Sequence, residues 1–284
     1  MEKALWNGKI VNKDEIKISI DDRAFHFGDG VYEVIRVYEG ELYLAEAHMK
    51  RLYQSAEKVG IRIEVNPDTF LEQLVQLKEE ANLIDGTIYV QVSRGVSPRN
   101  HPFPTPAVAA EIVGFTKGAK RPFEQMKAGV KATVIEDTRW LHCDIKSISL
   151  LGNVLAKQKA VEAGCFESIQ HRDGVVTEGS STNAFIVKNN TVYTHPADHL
   201  ILNGITRQRL IELGRNHGID IQEVAFSTED LLNADEVFVA GTTVEIMPVI
   251  QVDDKKYGDN PGPITQTLQR LLHEDIEKVA GVRN

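Results

Sequence analysis

A mixed fold of helices and strands, α+β in class and divided into two domains, is what the sequence predicts. Three observations point there. The chain has 284 residues, more than a single domain of roughly 100–200 residues requires. Apolar residues recur with a period of two in some stretches and of 3.6 in others, the signatures of half-buried strands and amphipathic helices. Between two such mixtures the sequence turns polar and basic from Thr116 to Gly129, with Lys117, Gly118, Lys120, Arg121 and Pro122. This candidate linker sets a boundary near residue 120 and domains of 1–120 and 121–284.

Taken in order, Leu5 to Val11 reads as a hairpin around Asn7 and Gly8, and Val31 to Tyr38 returns through Glu39 and Gly40 to Leu42–Ala45. Glu46 to Val59 carries Met49, Leu52, Tyr53, Ala56 and Val59 at helical spacing, with Gly60 as its stop. Asn66 and Pro67 supply the N-cap and first-turn proline of a second helix, whose buried stripe is Phe70, Leu71, Leu74, Val75 and Leu77. Strands at Thr87–Ser93 and Ala107–Phe115 close the first domain. In the second, strands at Val130–Glu136 and Ile145–Ser149 precede a helix at Asn153–Ala163. Hairpins follow at Asp173-Gly174 and Asn189-Asn190, then helices at Ile205–His217, from Ser227 with Asp230 as capping partner, and from Pro263.

Composition excludes several classes. With 42% hydrophobic and 26% charged residues the chain has the makings of a packed core. No segment reaches the roughly 18 uninterrupted apolar residues of a membrane span, and the first residues lack a basic stretch followed by an apolar signal region. A soluble, cytoplasmic protein is expected, with no membrane partner. The net charge of -9 and the lack of a Lys/Arg run argue against nucleic acid, whose affinity comes from clustered positive charge. Cys143 and Cys165 form no CxxC and are expected as buried free thiols. His195 and His199 have metal-ligand spacing, but Pro196 lies between them and no carboxylate partner is evident. A solvated loop is expected there, and no metal.

The common dinucleotide, nucleotide and zinc-protease fingerprints do not occur. Gly28-Asp29-Gly30 precedes a strand and reads as a tight turn. Three other segments carry chemistry. Lys146 interrupts the apolar run Asp144–Leu150 just before a helix. Directed inward, such an amine is favoured in its neutral, nucleophilic form, although on an alternating strand it would equally point to solvent. Val176–Asn183 places Glu178 among small hydroxyl residues between two strands, which also suits a plain polar turn. Asn203-Gly204-Ile205-Thr206-Arg207 opens a helix whose free N–H groups favour a phosphate, or act only as a helix start.

Together these residues resemble the fold type IV pyridoxal-phosphate aminotransferases, and within them the D-amino acid aminotransferases. The likeness spans essentially the whole chain. It rests on Trp6-Asn7, Phe27-Gly28-Asp29-Gly30-Val31-Tyr32-Glu33, Arg51-Leu52, Asp144-Ile145-Lys146-Ser147, Thr177-Glu178-Gly179-Ser180, Gly204-Ile205-Thr206-Arg207 and Gly241-Thr242-Thr243. The resemblance implies a small α/β N-terminal domain, a larger pseudo-barrel C-terminal domain, pyridoxal 5'-phosphate in the cleft between them, and a homodimer. It makes Lys146 the Schiff-base lysine and catalytic base, and Glu178 the partner of the pyridine nitrogen. Arg51, Ser181, Ile205, Thr206 and Thr242 become cofactor contacts. Tyr32, Arg99, His101 and Thr243 become substrate contacts, with Ser97-Pro98-Arg99-Asn100-His101 forming a carboxylate trap whose Arg and His reach in from the neighbouring subunit.

The implied reaction is a ping-pong transamination. It runs from a D-amino acid, D-alanine foremost, to a 2-oxo acid such as 2-oxoglutarate, giving D-glutamate. An L-branched-chain aminotransferase or an aminodeoxychorismate-type lyase would share the fold. A non-catalytic protein that binds small anions through Lys146, Arg51 and Gly204–Thr206 is the alternative from another class.

Overall fold

The computed structural model describes residues 2–281. Contacts divide them into two compact units. One holds the chain up to Lys120, Ile145–Leu150 and the end of the last helix from Val279; the other holds Arg121–Asp144 and Leu151–Lys278.

In the first unit the chain runs β1 (Lys3–Trp6), β2 (Lys9–Asn12), α1 (Arg23–Phe27), β3 (Gly30–Tyr38), β4 (Glu41–Leu42), α2 (Ala45–Lys58), α3 (Pro67–Glu80), β5 (Gly86–Ser93) and β6 (Glu111–Gly118). Its six strands form one sheet in the order β2-β1-β6-β5-β3-β4, antiparallel at every pairing. Period-two alternation turns Val31, Ile35 and Val37 of β3 and Ile88, Val90 and Val92 of β5 onto one face. There Met49, Leu52 and Ala56 of α2 and Phe70, Leu74 and Leu77 of α3 join them in a buried cluster. Each fully buried Leu, Ile or Phe contributes about 1.5–3 kcal/mol relative to exposure, so this layer fixes the sheet that carries Tyr32 and Glu33.

The second unit continues with α4 (Phe123–Ala128), β7 (Val130–Glu136), α5 (Leu151–Glu162), β8 (Glu167–Arg172), β9 (Val175–Gly179), β10 (Asn183–Lys188), β11 (Thr191–Thr194), α6 (Ile205–Asn216), β12 (Ile221–Gln222), α7 (Thr228–Leu232), β13 (Glu236–Gly241), β14 (Glu245–Val252), β15 (Lys255–Lys256) and α8 (Pro263–Ala280). The strands make a nine-stranded half-barrel sheet, β12-β11-β10-β13-β14-β7-β8-β9, with β15 on β14. β7 runs parallel to both neighbours, β8 and β14, and α5 is the crossover from β7 to β8 that a parallel pair requires. Ile169, Val176, Ala184, Ile186, Val237, Val239, Met247 and Val249 fill its core. No helix among the described residues is long and apolar enough to cross a membrane.

Local end signals act as read. Asn66 accepts from Thr69 N at 2.9 Å, and Ser227 and Asp230 form a reciprocal capping box. Other expectations are corrected. Ile145–Ser149 is not a strand: Ser147 N bonds Ile145 O and Leu150 N bonds Ile148 O, short turns that break the extended path despite the apolar alternation. The supposed linker is structured, because β6 runs to Gly118, Phe123–Ala128 is helical and Glu245 grips Arg121 at 2.7 and 2.6 Å. Leu44 in the left-handed region ends the β4 side early and lets α2 begin at Ala45. β6 starts at Glu111, later than the expected Ala107, and Leu71 and Val75 are only half-buried. His195 is buried, with Nδ1 2.8 Å from Val176 O; it is no solvated-loop residue. Cys143 is buried but Cys165 only partly so, and both are free. No cluster of three metal-ligating side chains occurs among the described residues.

Candidate active site

The first unit gathers Tyr32, Arg51 and Lys146. Tyr32 and Glu33 are neighbours on β3 and therefore face opposite sides of the sheet. Glu33 turns into the core with Val31 and Ile35 and is fully buried. A buried carboxylate needs a cation or several donors, and α2 supplies both one turn apart. Arg51 Nε and Nη2 bond the two Glu33 oxygens at 2.6 and 2.9 Å, and His48 Nδ1 lies 2.7 Å from Oε2. Burial pushes Glu33 up, but Arg51 and His48 outweigh it and hold the carboxyl well below its usual range. Arg51 is thus neither an exposed helix residue nor a lone cation: Glu33 fixes the direction of its guanidinium.

On the other side of β3, the backbone of Lys146 is pinned by Tyr32 N, which donates to Lys146 O at 3.0 Å. Lys146 N in turn donates to Ser55 Oγ of α2 at 3.2 Å. The Lys146 side chain is half-buried, with Nζ 4.1 Å from the centre of the Tyr32 ring, and that ring stacks on Tyr89. Arg99 and His101 stand elsewhere in the unit, exposed on the loop between β5 and β6. Phe27 of α1 is their neighbour, 5.0 Å from the Arg99 guanidinium and 5.4 Å from the His101 ring.

The second unit gathers Glu178, Ser181, Ile205, Thr206, Thr242 and Thr243. Glu178, near the end of β9, is buried. Its Oε2 accepts from Asn183 Nδ2 at 3.0 Å and Leu202 N at 3.1 Å, and its Oε1 accepts from Arg139 Nη1 at 2.6 Å, which leaves a lone pair of Oε1. Arg139 is shared: its Nε and Nη2 bond Asp137 at 2.9 and 2.8 Å, and Asp137 also accepts from Arg172 and Thr177. Burial raises Asp137, but these cations outweigh it and hold it at about 2. For Glu178 burial wins: desolvation and the repulsion of Asp137 outweigh Arg139 and Leu202 N–H, and its pKa rises to about 7.

A pH dependence follows. Glu178 ionises at its ordinary 4.5 when unfolded and at about 7 when folded. The native state therefore holds an extra proton across that window, and the stability Glu178 contributes is full below 4.5 and is lost as pH rises through 7. His48, lowered by burial despite Glu33, acts in the opposite sense near its ordinary 6.5. Comparison with Glu178→Gln isolates the carboxylate: urea unfolding of the cofactor-free protein shows a downward stability slope that the variant lacks. Equal slopes in the two proteins would mean that Glu178 titrates normally.

Around Glu178 the backbone forms a cradle. Asn183, which holds Glu178, also donates to Leu202 O at 2.8 Å and lies so close to Gly204 that a Cβ there would collide with its Oδ1. Gly204 thus brings the start of α6 against β10. No side chain caps α6, so the N–H groups of Ile205 and Thr206 remain for an outside acceptor. Thr242 and Thr243 lie on the tight turn between β13 and β14, which Val244 N closes onto Gly241 O. A Cβ on Gly241 would touch Ser181 O at 3.5 Å, so this turn abuts the Ser181 loop. That loop wraps the fully buried Glu167, which accepts from Ser180 N and Oγ and, at 3.0 Å, from Thr182 Oγ1. Ser181 itself is exposed, with Oγ 3.4 Å from Glu167.

The residues that sequence reasoning missed are the partners: Glu33, His48, Asp137, Arg139 and Glu167. The one sequence signal among them is Glu33, a charged residue inside the apolar strand β3; Glu167 only opens the largely polar strand β8.

The amino-transferase class IV family profile matches residues 30–252. A D-alanine aminotransferase of Staphylococcus epidermidis is 44% identical over 278 residues, 98% of this chain and 99% of that protein. One from Bacillus licheniformis is 43% identical over 275 residues, 96% and 97% of the two chains. Among solved structures, the branched-chain amino acid aminotransferase of Escherichia coli superposes with a TM-score of 0.91 at 28% identity, covering 96% of this chain and 94% of that one. The T.th. branched-chain amino acid aminotransferase with pyridoxamine 5'-phosphate gives 0.90 at 28%, with 99% and 95% covered. With its motifs on a half-barrel sheet and an antiparallel companion, the chain belongs to the class IV aminotransferases.

Proposed function

We propose that the chain is a D-amino acid aminotransferase. In this reading it moves the amino group of a D-amino acid, D-alanine foremost, to a 2-oxo acid such as 2-oxoglutarate, giving D-glutamate. The observation that carries the reading is the 44% identity over 98% of the chain to D-alanine aminotransferases, against 28% to branched-chain enzymes of the same fold.

The donor set fits pyridoxal 5'-phosphate. An uncapped helix start beside a glycine-built close approach suits a phosphate, a buried carboxylate suits a pyridine nitrogen, and a lysine amine over a tyrosine ring suits a Schiff base. When bound, the cofactor supplies a sink for the electron pair released at the substrate Cα. The N–H groups of Ile205 and Thr206, with Arg51 and Thr242, would hold the phosphate end, and Ser181 would be a further cofactor contact. Glu178 would keep positive charge at the ring nitrogen. Lys146 Nζ would hold the cofactor as a Schiff base, and its amine would accept and return the substrate Cα proton. Tyr32, with Arg99 and His101 reaching in from the neighbouring subunit, would grip the substrate carboxylate, and Thr243 would border it. Handedness then follows from orientation: with the carboxylate fixed, one enantiomer turns its Cα proton toward Lys146.

The enzyme is read as a cytoplasmic homodimer of two-domain chains divided near residue 120. The apolar residues Leu151, Val154, Leu155 and Val161, exposed on α5, support self-association.

The test is the visible spectrum of the purified protein with pyridoxal phosphate. D-alanine bleaches the band of the lysine-linked cofactor and L-alanine does not. A band that responds only to L-leucine would move the enzyme to the branched-chain group. A protein that stays colourless and yields no adduct on borohydride reduction would be an anion binder.

A further inference from the structure

The loop between β5 and β6 carries Arg99 and His101 through solvent with no helix or strand of its own from Arg94 to Ala110. A side chain on such a loop grips a carboxylate bidentately only if its backbone is held within about 0.5 Å. The holding device lies in the same unit. Arg23 of α1, 3% exposed, donates to three successive loop carbonyls: Nη1 to Asn100 O at 2.6 Å and Pro102 O at 3.4 Å, and Nη2 to His101 O at 3.3 Å. Its remaining nitrogen, Nε, bonds Asp29 Oδ2 at 2.8 Å.

Asp29 holds a second guanidinium as well. Arg94, at the head of the loop, bonds both Asp29 oxygens at 2.8 and 2.9 Å. Its other donors go to Val59 O and Gly60 O beyond α2, and it lies 3.6 Å from the centre of the Phe103 ring. One carboxylate thus orients two arginines that together bind five backbone carbonyls, three in the loop and two just beyond α2. Phe27 completes the arrangement, with the Arg23 guanidinium 4.8 Å and the Arg99 guanidinium 5.0 Å from its centre. α1, which presents Arg23 and Phe27, is itself fixed. Asp22 caps its start by accepting from Ala24 N at 2.7 Å. Gly28 ends it at φ +64, where a Cβ would stand 2.6 Å from Ser149 Oγ, three residues from Lys146.

We propose that Arg23 and Asp29 are positioning residues for substrate selection. They set the backbone of residues 100–102 so that Arg99 and His101 meet the carboxylate end of the substrate. The inference rests on the reading of Arg99 and His101 as a carboxylate trap. No charge moves and no bond forms in this role: beyond the backbone bridge at Val96, the guanidinium of Arg23 holds the carbonyls of residues 100–102.

The test is a double-mutant cycle on the holoenzyme with D-alanine as the varied substrate. Asp29→Asn and Arg99→Ala each raise KM by about tenfold while kcat changes by less than about threefold, and the double variant is no worse than Arg99→Ala alone, because a mispositioned trap and a missing one are equivalent. Arg23→Lys repeats the cycle with charge kept but the three-carbonyl reach lost, and serves if Asp29→Asn fails to fold. A rise in KM with Arg99→Ala but none with Asp29→Asn or Arg23→Lys, or fully additive effects, overturns the positioning role and leaves the trap standing. An unchanged KM in Arg99→Ala removes the trap itself.

Discussion

Lys146→Ala abolishes transamination of D-alanine, lowering kcat by about 1,000-fold or more, and leaves the fold intact. The loss combines the covalent link with the base that moves the Cα proton. The fold survives because the ordering contacts of residue 146 are made by its backbone: Tyr32 N to its carbonyl and its own N–H to Ser55 Oγ. Alanine keeps both. What goes is a cation against the Tyr32 ring, worth about 0.5–1 kcal/mol at a partly exposed site. Steady-state rates and urea unfolding separate the two effects. In the parent enzyme, borohydride reduction followed by peptide mapping places the adduct on Lys146. A variant that still turns over would refute the assignment of Lys146.

Arg139→Met carries the largest stability cost. Methionine fills the volume but leaves Asp137 and Glu178 facing each other without the cation they share, and breaking a buried ion pair costs about 3–5 kcal/mol. The cost depends on pH. Glu178, already raised to about 7, answers the loss by keeping its proton, so the penalty is smallest in acid and grows as the solution becomes neutral and the proton must leave. Asp137 retains Arg172 and is spared the full effect. Equilibrium urea unfolding at two pH values measures this, and adding Glu178→Gln to Arg139→Met recovers part of the loss by removing one buried charge. A loss below about 1 kcal/mol at neutral pH would show that Asn183 and Leu202 satisfy Glu178 unaided.

What was legible in the sequence was local. Asn66 with Pro67, Ser227 with Asp230 and the Asn7–Gly8 turn are decided by side chains within four residues, and they form as read. The motif residues themselves were also legible, since they are short strings at element ends. Pairings across the chain were not. Arg139 meets Glu178 from 39 residues away and Arg23 meets Asn100 from 77, and nothing near Arg139 in the sequence marks it as more than a polar residue. The same limit explains Ile145–Ser149. Its apolar alternation fits a strand, but it has only the edge of β3 to pair with, and it meets that edge through a bridge at Ser147 and turns elsewhere. α1 escaped notice because five residues are too few to show a helical period.

The chain passes between its two units at Lys120, Asp144, Leu150 and Lys278, so no single cut separates them. A fragment ending at Lys120 would keep all six strands of the first sheet yet lose Ile145–Leu150. Those residues cover the start of β3, where Gly30 O and Tyr32 N bond Ile148 N and Lys146 O. Expressed alone, the fragment would offer that uncovered edge to another molecule and associate through it. The lysine-bearing segment is in this sense a guard of the sheet edge. Recombining the first unit with that of a relative therefore requires the six residues from Ile145 to Leu150 to travel with it, although they lie in the other half of the gene.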